Sequence, residues 1–220
     1  MGQLSAIERA AVEAAGAAAM LPQVEAWALI NSGSRNLAGL ADVAALLSDA
    51  FAILPGELVM LDAAQVEAVD AAGKTYEIEH GRNLHLTVRP GAPVQLLLTG
   101  HYDTVFGADH AFQSLTWLEK GVLGGPGVAD MKSGIAVMLA ALSAIEDSPL
   151  ASRLGYEVVL NSDEEVGSPG SATMISKAAR GKRAALTYEP AALPDGTLAG
   201  ARPGSGNFSF VIAGKSAHAG

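Results

Sequence analysis

The stretch Leu96–Phe106, LLLTGHYDTVF, constrains the fold most. Leu96, Leu97, Leu98 and Thr99 run without a polar break into Gly100. A strand with one wet face alternates apolar and polar residues. An unbroken run instead marks a strand buried on both faces, as parallel strands under helical layers are. His101 and Asp103 stand just past its C-terminal end. Open α/β sheets place their ligands there. An imidazole at that point can bind a metal. A carboxylate two residues on can take the second ring N–H, fixing the tautomer and raising basicity. A loop His beside a solvated Asp reads the same in isolation, so the other acidic residues decide.

Three more segments carry carboxylates to comparable points. Tyr156–Leu160 is a second apolar run, and it ends abruptly in Asn161-Ser162-Asp163-Glu164-Glu165-Val166-Gly167. Adjacent carboxylates raise one another's pKa unless a cation compensates, and a divalent metal is the simplest compensation. A solvated turn would explain the acidity but not its position after a buried strand. Ala184–Thr187 ends at Tyr188-Glu189-Pro190. Gly124–Gly134, GGPGVADMKSG, lacks both GxGxxG and Gly-Lys-Ser/Thr, so dinucleotide binding is a weak reading. Its glycines instead let backbone approach a crowded centre. Asp130 falls at the start of an apolar helix, Ile135–Ile145; it can cap that helix and still offer a ligand oxygen. In a doubly wound sheet all these points lie on one rim.

The remaining segments read as scaffold. Residues 5–31 form one or two Ala-rich helices, with Pro22 in the first turn of the second. Asn31-Ser32-Gly33-Ser34 breaks the pattern, and Leu37–Leu54 is an amphipathic helix stopped by Pro55-Gly56. Glu57–Asp62 and Val66–Val69 are weak strands. Thr75–His80 and Asn83–Arg89 are expected to pair as a hairpin, with His80 and His85 on its solvent face. Asp109 and His110 sit in an irregular loop. Trp117–Leu118 and Val122–Leu123 read as a small hairpin, Ser168–Ala179 as a helix and Phe208–Ile212 as a strand.

Composition narrows the chemistry. The 220 residues carry a net charge of −9, which argues against nucleic acid or an anionic membrane as partner. There is no cysteine, so any metal must be held by His, Asp and Glu. That suits zinc, with cobalt or manganese as alternatives. No run of about eighteen apolar residues suggests a membrane span. Ala10–Leu21 resembles a signal h-region, but no Lys or Arg precedes Glu8 and Glu13 interrupts it. The default compartment is cytoplasmic, with periplasmic or secreted locations left open.

The segments GHYDTV, GPGVADMKSG, NSDEEVGSPGS, YEP and GKSAHAG follow one another across residues 95–220. Together they resemble the di-zinc metallopeptidase family of glutamate carboxypeptidase, acetylornithine deacetylase and succinyl-diaminopimelate desuccinylase. TYEP and SGNFSFVIAGKSAHAG lean toward the glutamate carboxypeptidase branch. The resemblance implies a three-layer α/β/α catalytic domain with a mostly parallel sheet over residues 1–200. Residues 201–220 would begin an α+β lid or dimerisation domain. It implies that His101 and Glu189 bind one zinc, Glu165 the second, and Asp130 both, with a cis peptide after Asp130. Asp103 would orient His101, Glu164 would be the general base, and His218 would stabilise the tetrahedral oxyanion, commonly in the partner subunit's site.

The substrate would be a small peptide or N-acyl amino acid, and the complete protein a homodimer through its lid. Family members continue past the point where this chain stops, through a further His ligand and a substrate-binding Arg. The chain is therefore expected to be an inactive fragment with one zinc under-coordinated. Two other classes stay open: a non-catalytic metal-binding or interaction module, and a single-metal or different amidohydrolase such as an N-acyl amino acid deacylase.

Overall fold

The computed structural model describes residues 3–193, 195–198, 204, 206, 208, 210–215, 217 and 218. In chain order the strands are β1 (Glu57–Leu61), β2 (Val66–Val69), β3 (Thr75–Ile78), β4 (Asn83–Val88), β5 (Val94–His101), β6 (Thr116–Glu119), β7 (Val122–Gly124), β8 (Leu154–Asn161) and β9 (Ala184–Thr187). The helices are α1 (Ala6–Gly16), α2 (Leu21–Ala28), α3 (Leu37–Phe51), α4 (Ser133–Glu146) and α5 (Ala172–Ala178). They divide into two compact units: Met1–Ala64 with His80–Pro190, and Gln65–Glu79 with Ala191–Gly220.

The first unit holds a five-stranded sheet of order β1-β4-β8-β5-β9. β5 runs parallel to both β8 and β9, whereas β4 is antiparallel to β8 and to β1. Four strands therefore share one direction and β4 alone is reversed, so two of the four pairings are antiparallel and the sheet is mixed rather than mostly parallel. Successive side chains of a strand point to opposite faces. The continuous apolar runs thus feed two cores at once. Leu98, Val158 and Leu160 pack with Leu84, Leu86, Val88 and the buried stripes of α2, α3 and α4. Leu97 and Val159 pack on the other face against Ala178, Met174 and Ile175 of α5. The result is the three-layer α/β/α arrangement.

Register then sets the rim. His101 pairs with Asn161, and Thr99 with Thr187. Residues just beyond β5, β8 and β9 therefore emerge side by side.

The apolar stretch Val128–Glu146, 19 residues, passes a length-and-composition test for a membrane span. Its backbone does not. Asp130 (φ −121°, ψ 99°) and Met131 (φ −130°, ψ 32°) are non-helical, and α4 proper has 14 residues. About 20 are needed to cross a bilayer.

Several local expectations change. β3 pairs with β2, not β4. The chain turns back at once through Asp70–Gly73, where Asp70 Oδ1 accepts the N–H groups of Ala72 and Lys74, while Leu84, Leu86 and Val88 draw β4 into the main sheet. His80 is consequently not on a solvent face: its side chain is fully buried, with Nδ1 3.9 Å from Asp163 Oδ2. Burial holds that imidazole below its usual range. His85 lies on the sheet with Nε2 2.7 Å from Glu157 Oε2, and Lys182 Nζ holds the other oxygen at 2.6 Å. α5 starts at Ala172 rather than Ser168, because Ser168 adopts a left-handed φ of 57°.

The second unit contains the β2–β3 hairpin. Phe208, Phe210, Val211 and Ile212 are exposed, and among the described residues none of them is in a strand. Residues 201–203, 205, 207, 209, 216, 219 and 220 of the expected lid segment lie outside the described residues.

Candidate metal centre

β5 delivers His101 at its last position. Tyr102 turns into the core and is fully buried, so by the two-residue alternation His101 and Asp103 share the opposite side. The imidazole Nε2 then faces a set of carboxylates. It lies 3.0 Å from Asp130 Oδ1, 3.7 Å from Glu189 Oε1 and 3.9 Å from Glu164 Oε2. One ligand atom each from His101, Asp130 and Glu165 falls within 4.8 Å of the others. The other nitrogen, Nδ1, is 3.3 Å from Asp103 Oδ1 and 3.1 Å from the Asp103 carbonyl. This is the carboxylate–imidazole arrangement that leaves Nε2 free to coordinate.

Two glycines let the elements converge. Gly127 takes the left-handed φ of 71° that starts the turn carrying Asp130. At Gly134 an added Cβ would stand 1.9 Å from the Tyr188 carbonyl, so α4 can approach the end of β9 only because no side chain is there. That close approach sets Asp130 beside Glu189. The Asp130–Met131 peptide is cis.

Protein charges alone leave the cluster over-supplied with negative charge. Burial pulls His101 down, but Asp103 and Glu189 outweigh it and push it up to about 11. Glu165 is pushed up to about 7 by burial and by the neighbouring carboxylates, against the pull of His101. Asp130 and Glu164 are raised chiefly by burial. Carboxylates that hold protons this readily are those a cation relieves. The donor set, one imidazole with carboxylate oxygens and no thiolate, fits a divalent ion such as zinc.

Of the residues singled out in the sequence, His101, Asp103, Asp130, Glu164, Glu165 and Glu189 meet at this rim. Asp163 does not join them. It is buried and accepts hydrogen bonds from Ser171 Oγ at 2.6 Å and the Gly170 N–H at 2.6 Å, tying the acidic loop down. His218 is exposed and belongs to the second unit. His110 accepts the Phe112 N–H within its own loop.

Two supporting residues carried no sequence signal for their roles. Ser34 Oγ donates to Asp103 Oδ2 at 2.7 Å. Lys132 is buried, is held down to about 8 by desolvation, and donates to the Trp27 carbonyl at 2.9 Å. A lysine at the end of α2 satisfies carbonyls the helix leaves open.

Residues 97–211 match Peptidase family M20/M25/M40. Carboxypeptidase G2 from Pseudomonas sp. (strain RS-16) is 31% identical over 140 residues, which cover 64% of this chain. The matched region spans 34% of that relative's length. The fold is shared with the dipeptidase Dug1p from Saccharomyces cerevisiae (TM-score 0.63, 15% identity, 83% of this chain and 40% of that one). It is also shared with the M20 family metallo-carboxypeptidase Sso-CP2 from Sulfolobus solfataricus (TM-score 0.61, 16% identity, 81% and 39%).

Proposed function

This chain belongs to peptidase family M20/M25/M40, and on that premise we propose that it serves a carboxypeptidase-like hydrolase with two zinc ions at the rim of its sheet. The observation that carries the reading is the meeting of His101, Asp130 and Glu165 within 4.8 Å, with Glu189 beside them. His101 and Glu189 would hold one ion, Glu165 the other, and Asp130 both. A metal pair of this kind supplies an acidified water and polarises the scissile carbonyl.

The protein's own groups do the rest. Asp103 keeps the His101 ring in place. Glu164, half-exposed and raised by burial, takes the proton of the attacking water and passes it to the leaving amine. By the resemblance of GKSAHAG, His218 is assigned to the oxyanion that develops on the carbonyl oxygen, in the partner subunit's site of the complete protein. The substrate class is a C-terminal peptide or N-acyl amino acid, with a glutamate-type residue suggested by the resemblance of TYEP and SGNFSFVIAGKSAHAG to the glutamate carboxypeptidase branch. A homodimer built through a lid domain is proposed for the complete protein.

Elemental analysis after dialysis tests the centre, on wild type and on Asp130→Ala. Two zinc per chain, lost in the variant, is the expected result. One would reduce the reading to a mononuclear site. None, in a folded chain, would overturn it.

A further inference from the structure

We propose that Ser34 is a positioning residue of the metal centre, acting through Asp103. The inference rests on the metal-centre reading above and adds to it a residue from the α2–α3 connection, outside the matched region.

Asp103 is fully buried and both of its oxygens are committed. Oδ1 faces His101 Nδ1 at 3.3 Å and accepts the Glu164 N–H at 3.1 Å. Oδ2 accepts the Glu165 N–H at 3.2 Å and the Ser34 hydroxyl at 2.7 Å. The Ser34 contact is the shortest of these and the one contributed by another side chain's hydroxyl. A short hydroxyl–carboxylate bond is charge-assisted and directional. It fixes the carboxylate's rotation, and that rotation sets both the His101 ring and the backbone that carries Glu164 and Glu165.

Ser34 is itself held in place. Its N–H donates to the Thr104 carbonyl at 3.2 Å, and the Thr104 N–H donates to the Ser32 carbonyl at 2.9 Å. Ser32 Oγ donates to the Tyr102 carbonyl at 2.7 Å, and Asn31 Nδ2 to the Phe106 carbonyl at 3.0 Å. The segment 31–34 therefore runs beside residues 102–106 in fixed register. Gly33 makes the approach possible: a Cβ there would meet the Phe106 carbonyl at 2.4 Å. At the preceding end Lys132, two residues from Asp130, holds the Trp27 and Ile30 carbonyls. One short segment is thus tied to both sides of the metal cluster.

Ser34→Thr and Ser34→Val test this, because the two side chains share a shape and differ in the hydroxyl. Cobalt(II) is titrated into metal-stripped wild type and both variants, reading affinity and the visible absorption spectrum, with melting followed in parallel. The Thr variant should stay within about twofold of wild type. The Val variant should bind on the order of tenfold or more weakly, with an altered spectrum. If Val does not fold, Ser34→Ala takes its place in the comparison. Equal cobalt affinities and spectra for the hydroxyl and non-hydroxyl variants would overturn this inference alone, even with a lowered melting point. A folded wild type that takes up no cobalt would overturn the metal-centre reading and this one with it.

Discussion

Asp103 Oδ2 accepts the backbone N–H of Glu165 at 3.2 Å, across 62 residues of sequence. The contact follows from sheet register. His101 at the end of β5 is paired with Asn161 at the end of β8, so the residues two to four positions further on must lie beside each other. A buried carboxylate there finds donors in the first free amides of the neighbouring loop. It therefore does more than orient an imidazole: it joins the two strand ends from which the ligands come.

Asparagine at position 103 separates these duties. Asp103→Asn keeps the size but offers one acceptor oxygen, and its amide N–H2 would face an N–H donor. Zinc affinity should fall on the order of 100-fold, by more than Ser34→Val costs, because the acidic loop and the His101 ring lose their anchor together. Competition with a chromophoric chelator measures both variants. A loss smaller than that of Ser34→Val would contradict the role of Asp103 as the hub of the two strand ends.

How far the sequence discloses this centre depends on the range of the interaction. The β5 and β8 runs are legible because burial on both faces removes all polar residues from them, and parallel register then predicts where their ends meet. His80 is not legible. A histidine at the end of Thr75–Ile78 looks the same whether that strand folds onto β2 or onto β4, and the choice is made by the core that claims Leu84 and Leu86. Ser34 and Lys132 fail for the same reason. Their partners are a carboxylate 69 residues away and a helix-end carbonyl 105 residues away, and neither local propensity nor periodicity registers such pairs.

Metal uptake should release protons. Protein charges hold His101 up to about 11 and Glu165 up to about 7. At pH 7 a ligating His101 must therefore lose its proton and Glu165 a fraction of one. Titration calorimetry in two buffers of different ionisation enthalpy should report roughly one to two protons released per cluster at pH 7. Above pH 8 the Glu165 share should vanish while that of His101 persists. Affinity should weaken as pH falls from 8 to 6. A proton count near zero at pH 7 would show that His101 is not displaced from its carboxylate partners by the metal.

Gly134→Ala sets two known effects against each other at the start of α4. Replacing a helical glycine by alanine ordinarily gains about 0.5–1 kcal/mol through backbone entropy. Here the new methyl would stand 1.9 Å from the Tyr188 carbonyl oxygen, a backbone atom at the end of β9 that cannot turn aside. Overpacking of this kind costs about 1–3 kcal/mol, so the net change should be destabilising and visible as a lower urea midpoint. Relief requires α4 and β9 to move apart, and that motion also separates Asp130 from Glu189. Zinc affinity should therefore fall along with stability. Loss of stability with unchanged affinity would mean that the strain is absorbed away from the cluster, and a gain in stability would mean that the contact has slack.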